Sequence, residues 1–279
     1  MNLEDWKKMG HDLDKRLRLP TYPLAVKYIG DESEIPAEAV RPSHGAQKWC
    51  ICQAFTYARR WGWTTAITAE ENFCVPASAM HKWIDVSDED FMASQVLQGW
   101  HLDLASEKTR LEFAQKALGE GRAEKAAQYH GLVASPLANT LVAPDTVLIF
   151  GDGSHLTHII HALCYDYKEP VMSAFEGFGE SCVKGGLLPF MTGRPQIVIP
   201  GMGDRVFAGL GDHELGIGLP AGLLPLVMEK LFQTGGRQNM GQPVKTLLPM
   251  GLTESITPGF KFLKEKIKPG PARQGGNRG

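Results

Sequence analysis

A-P-D-T-V-L-I-F-G-D-G-S, residues 143–154, is the stretch that decides the fold class. Val147 to Phe150 make a short continuous apolar run of the buried-strand kind, and Gly-Asp-Gly then turns the chain. Ser154 is placed to cap the helix that follows, H-L-T-H-I-I-H-A-L-C-Y. A second strand–turn–helix unit runs from Glu214 to Leu219 and into a helix over 220–232. The recurrence predicts an α+β or α/β domain, a mixed sheet flanked by helices; neither unit fixes strand direction.

Working outward, P-L-A-V-K-Y-I-G (23–30) and T-T-A-I-T-A (64–69) read as strands, and strands return from Leu132 onward. Residues 170–175 and 195–200 are further strand candidates. Leu3, Trp6, Leu13 and Leu17 give residues 2–18 one apolar helical face, and 48–60 also follows a helical spacing. Residues 87–130, rich in Ala, Glu, Lys and Gln, read as a helical insertion. The division expected is one α+β domain over 1–232, then a Gly-, Pro- and Gln-rich segment over 233–279 ending in a mobile basic tail.

Composition narrows the function classes. A formal charge of -2 argues against wholesale binding of a phosphate backbone. No run approaches the ~20 apolar residues of a membrane span, and M-N-L-E-D-W-K-K lacks the apolar core of a signal peptide. A cytoplasmic chain is expected, in which the five cysteines are free, catalytic or metal-bound rather than paired as disulfides.

Three of those cysteines, Cys50, Cys52 and Cys74, lie between Lys48 and Met80, and Cys182 lies in F-G-E-S-C-V-K-G-G. In a helix starting at Lys48, residues two apart diverge by ~200°, which sets Cys50 apart from Cys52. Cys74 precedes Val-Pro and Cys182 sits among glycines, settings where backbone approaches a bound group closely. Cys52, Cys74 and Cys182 together suit an iron–sulfur cluster, or zinc with one more ligand; the alternative is three small buried apolar side chains. Cys164 is assigned to the core, and His155, His158 and His161 to a partly exposed helix on which neighbouring pairs have metal-clamp spacing. G-D-G-S and Gly201–Arg205 are candidate anion sites, although no complete nucleotide motif is present. Arg205 and Lys27 are candidate partners for a substrate anion, and Glu180 is a candidate acid or base.

The ordered series P-L-A-V-K, W-C-I-C-Q-A-F, N-F-C-V-P-A, P-D-T-V-L-I-F-G, G-E-S-C, F-M-T-G-R-P and D-R-V-F-A-G-L-G-D-H-E-L-G-I-G-L-P resembles the prokaryotic "domain of unknown function 169" family, found largely in anaerobic bacteria and archaea. The resemblance covers roughly residues 20–232 and implies a site built on Cys52, Cys74 and Cys182. Family members often carry a further cysteine where this chain has Gly201. A [4Fe–4S] cluster on three thiolates, with an open or non-cysteine fourth position, is the cofactor this implies. Such a cluster acts on a small oxygenated or anionic substrate by redox or dehydration-type chemistry. Two other functions stay open. One is an accessory or electron-transfer subunit, joined to a protein partner or a second copy through its helices and C-terminal tail. The other is a cofactor-free protein that binds a small anion.

Overall fold

The computed structural model describes residues 1–84 except 46, residues 121–231 except 176 and 178, scattered positions within 87–119, and residues 233 and 266. The helical insertion and the C-terminal tail expected from sequence therefore lie largely outside the described residues. The ordered elements are α1 (Leu3–Leu17), β1 (Leu24–Ile29), α2 (Ile51–Trp61), β2 (Thr65–Thr68), α3 (Val75–Met80), α4 (Arg122–Ala126) and β3 (Gly131–Pro136). There follow β4 (Thr146–Gly151), α5 (Gly153–Leu163), a π-helix (Glu180–Leu187), α6 (Leu188–Thr192), β5 (Gln196–Val198), α7 (Met202–Ala208), β6 (Leu215–Pro220) and α8 (Leu224–Leu231).

Six strands among the described residues form one sheet in the order β2-β3-β1-β4-β6-β5, and every ladder is antiparallel. The fold is α+β. The α+β expectation is borne out, and the sheet is antiparallel because the two strand–turn–helix units do not cross over to parallel neighbours. β4 and β6 instead pair antiparallel across Thr146–Gly151, so α5 and α8 come to lie on the same face.

Alternation along the strands sorts the two cores. Ala25, Val147, Ile149, Ile217 and Leu219 pack with α1, α5 and α8. Leu24, Val26, Tyr28, Leu148 and Phe150 face the other way, toward α2 and the π-helix. α1 is held at its start by a capping box between Asn2 and Asp5, and turns Trp6, Leu13 and Leu17 inward. Residues 170–175 form no strand. Ser173 Oγ accepts the Ile197 amide at 2.7 Å, so this segment meets β5 by a side chain rather than a ladder.

The π-helix is buried along its whole length, which small residues permit. A β-carbon on Gly218 of β6 would overlap the carbonyl oxygen of Gly185 and lie 2.8 Å from Pro189 Cγ. Backbone thus lies on backbone where the π-helix crosses the sheet. Its entry residue, Gly179, has φ 53°, and a β-carbon there would meet Val183 Cγ2 at 2.6 Å. Among the described residues, no helix is long and apolar enough to cross a membrane.

Candidate functional site

The cysteine-bearing segments meet on the face of the sheet that carries Tyr28 and Phe150. An isolated bridge joins Trp49 to Asn72, with Phe73 N donating to Trp49 O at 2.7 Å. That bridge sets Cys50, the N-cap of α2, beside Cys74, the residue that opens α3. α2 begins at Ile51 rather than at Lys48, because Cys50 is extended, with φ −98° and ψ 158°. The helical divergence expected for C-I-C therefore does not apply. Cys50 Sγ lies 3.1 Å from Cys52 Sγ, and both are buried. This corrects the separation of the two read from sequence.

Cys182 arrives from the π-helix. Asp204 anchors that helix by accepting the amides of Ser181 at 3.3 Å and Gly201 at 3.0 Å. Charge couples the groups. Burial pushes the Cys182 thiol well up, and negative charge at Cys74, Asp204 and Cys50 pushes it further. Cys74 is pushed up to about 12, chiefly by burial, with Cys50 and Asp204 adding to it. Within the close pair the shifts are opposite: the shared hydrogen bond lowers Cys50 and raises Cys52. Asp204 is itself raised by burial, against the hydrogen bonds from Ser181 and Gly201 that favour its charge. Buried thiols held protonated are poor nucleophiles, but a metal that displaces the proton can still use them.

Of the residues singled out in the sequence, Cys52 and Cys182 lie in one core cluster with Cys74 packed against it, and Glu180 is on the π-helix two residues before Cys182. Glu180 is buried and accepts the Gly177 amide at 2.9 Å. Lys27 does not join them. It alternates with Val26 and Tyr28, leaves the sheet on the opposite side, and pairs with Asp145 at 3.2 Å. Arg205 is on α7, where its Nε donates to Pro200 O at 3.2 Å and its Nη1 pairs with Asp212.

Three other expectations are corrected. Cys164 is exposed at the end of α5, and His155 and His158 are buried, leaving only His161 exposed in that trio. His155 Nδ1 lies 2.7 Å from Asp152, which binds it locally. Asp152, not Ser154, caps α5, and its carboxylate already accepts the Ser154 and His155 amides that an anion would use.

Sequence reading missed Asp204, Lys184, Ser181, Tyr28 and His81. Lys184 is fully buried on the π-helix two residues after Cys182. Tyr28 stacks at 6.0 Å on His81 and at 5.4 Å on Phe190, and its hydroxyl is raised by burial first and by Cys182 second. Among the described residues, Tyr28 Oη and His81 Nε2 have no hydrogen-bond partner although they are buried. Buried polar atoms without a partner are uncommon, and each calls for an explanation such as a bound polar group. Only the alternation of β1, which puts Tyr28 opposite Lys27, signalled any of this in the sequence.

His81 gives the site a pH dependence. Its Nδ1 is 2.7 Å from Ala77 O, and burial pulls its pKa from 6.5 down to about 4 against that hydrogen bond. Between those values the unfolded chain binds the proton and the folded chain does not. The stabilisation is complete above pH 6.5 and is lost as pH falls toward 4, by roughly 3 kcal/mol. Urea unfolding at pH 7 and pH 4.5 should show a clearly smaller acid loss for His81→Gln than for the parent. Equal losses in the two would remove His81 from the account.

Among the described residues, no three His, Cys, Asp or Glu side chains stand close enough to hold a single metal ion. A multi-iron cluster asks for something else, because its irons keep the ligand sulfurs apart by the width of the cluster. Of the four thiols on this face, Cys50 and Cys52 are in direct contact, at 3.1 Å. The family model described as DUF169, "Uncharacterised ArCR", matches residues 12–230. The chain belongs to the DUF169 family. That match spans both cysteine segments, the π-helix and all six strands. No curated protein and no solved structure matches the chain.

Proposed function

We propose that this DUF169 chain binds an iron–sulfur cluster through Cys52, Cys74 and Cys182, and with it acts on a small oxygenated or anionic substrate in anaerobic metabolism. The observation that carries this reading is the gathering of Cys52, Cys74 and Cys182, from segments far apart in sequence, into one packed cluster on the sheet face, Cys52 and Cys182 buried and Cys74 partly so. Thiolate is the ligand of choice for such clusters, and no nearby disulfide consumes these sulfurs. When bound, the cluster supplies redox or Lewis-acid chemistry. The chain supplies the pocket. Tyr28 Oη is a donor and His81 Nε2 an acceptor for a substrate oxygen or its proton. Burial of Glu180 and Lys184 excludes water from charged groups beside Cys182.

Purification without oxygen, followed by iron and sulfide assay, tests the first step. A coloured protein with both elements is expected, and a colourless chain that takes up no iron on reconstitution ends the proposal. Cys182→Ser should lose most of the visible absorbance and bound iron. Unchanged absorbance would exclude that residue.

A second reading, an accessory or electron-transfer subunit, is favoured by one observation. Phe73, Met202, Val206 and Phe207, on the chain beside Cys74 and Gly201, are each more than half exposed, at 76%, 55%, 68% and 53%. A stable partner that co-purifies with the cluster-loaded chain would support it, whereas substrate turnover by the isolated chain would count against it.

A further inference from the structure

The iron–sulfur reading leaves one ligand position unassigned, and the close contact at the start of α2 speaks to it. We propose that Cys50 is the fourth thiolate ligand of a [2Fe–2S] cluster, chelating one iron together with Cys52 while Cys74 and Cys182 hold the other; this rests on the iron–sulfur reading above.

The distance between the two sulfurs carries the argument. Two thiolates on one tetrahedral metal, each ~2.3 Å from it, stand about 3.8 Å apart. The observed separation is 3.1 Å, so modest side-chain rotations open the pair to that spacing. Cys50 precedes the helix, and its extended backbone does not hold its side chain on a helical face. Its sulfur is within hydrogen-bond reach of Cys52 Sγ and, at 3.3 Å, of Gln53 Oε1.

The competing donors are committed elsewhere. Asp204 uses Oδ2 to accept two backbone amides, which fix the starts of the π-helix and of α7. Glu180 accepts the Gly177 amide. Gly201, the N-cap of α7, has no side chain to offer, although a β-carbon there would lie 3.3 Å from Glu180 Cγ and 3.8 Å from Asp204 Oδ2. Among the thiols, Cys164 is on the far end of α5 and exposed. Cys50 is the sulfur that remains on this face.

Ligation is a proton exchange without change of oxidation state: each S–H bond is replaced by an S–Fe bond, and the proton goes to solvent. With two thiolates on each of two irons, no iron is left open to a small ligand. Of the two chemistries allowed above, this favours redox over dehydration at an exposed iron.

The test uses the full chain, reconstituted anaerobically with ferrous iron and sulfide, as parent, Cys50→Ser, Cys50→Ala and Cys164→Ser. Iron per chain, the visible and electron-paramagnetic-resonance spectra, and the half-life of the cluster against a chelator are read with and without cyanide. The parent and Cys164→Ser should be indifferent to cyanide. Both Cys50 variants should bind it with a changed spectrum, and lose iron to the chelator at least tenfold faster. Thermal unfolding of the unloaded variants checks that they fold.

The inference fails if Cys50→Ala matches the parent in spectrum and half-life, or if cyanide alters the parent; the iron–sulfur reading then stands with another fourth ligand. It also fails if alkylation and peptide mass show a Cys50–Cys52 disulfide in a chain that reconstitution leaves without iron, since the pair then works as a dithiol. A parent that takes up no iron at all overturns both readings together.

Discussion

Glu214→Ala is expected to destabilise the fold by about 3–5 kcal/mol, the range for removing one partner of a buried ion pair. Arg59 of α2 has no exposed surface, and its guanidinium lies 4.8 Å over the Phe150 ring. Glu214 accepts Arg59 Nη1 at 2.5 Å and Nη2 at 3.2 Å, Arg60 Nη2 at 2.9 Å and the Gly211 amide at 2.7 Å. Burial would raise the Glu214 carboxyl, but the Arg59 hydrogen bonds, the Gly211 amide and the two arginine charges outweigh it and hold the pKa low. Without Glu214 the Arg59 charge stays buried, with Thr21 Oγ1, at 3.3 Å, as its remaining side-chain hydrogen-bond partner among the described residues. Urea unfolding at pH 7 measures the loss. A change under about 1 kcal/mol would mean that the guanidinium escapes to water. Replacing both residues, as Arg59→Met with Glu214→Leu, should recover much of the stability, because no unpaired charge is then left inside.

Gly218→Ala should be as damaging, by a different route. Its added methyl would overlap the Gly185 carbonyl and press on Pro189, and neither is the movable end of a flexible side chain. Overpacking costs ~1–3 kcal/mol where neighbours can yield, and more is expected where they are backbone. The π-helix must lift from β6, which carries Cys182 away from Cys52 and Cys74. Poor recovery of soluble chain, or folded chain with little iron uptake, is the expected result. Gly222→Ala, where nothing lies within 4 Å, is the matched control and should stay within about 0.5 kcal/mol of the parent. Wild-type stability and iron content in Gly218→Ala would show that the close approach is not needed.

How far these features can be read from sequence depends on their range. β1, β2, β4, β5 and β6 announce themselves as short apolar runs bounded by Gly, Pro or polar residues, and the structure has strands at each. Strand direction does not, because a run such as V-L-I-F looks the same whichever neighbour it pairs with. The fate of Cys50 turned on where α2 begins, a shift of three residues that reverses a helical-wheel argument. The exposure of Cys164 turned likewise on α5 ending at Leu163, so that the last apolar-looking turn is not covered. Tyr28, His81 and Asp204 carry no motif. They become a site only when β1, α3 and α7 converge, and that convergence is written in long-range packing. The glycines around Cys182 were legible as a place of close approach, but not as a π-helix lying on the sheet.

The division of the thiols between two distant segments has a consequence for how the protein is made. Cys182 is synthesised 130 residues after Cys52. At roughly 5–20 residues per second, the early thiols wait some 7–26 s on the growing chain before their partner exists. β1 pairs with both β3 and β4, so the sheet that aligns the two segments closes only when strands from both halves are present. A cofactor held by both segments can therefore be seated only after Cys182 has been made and the sheet has closed. Until then the Cys50–Cys52 pair is the part of the site most open to capture by an oxidant or a stray metal.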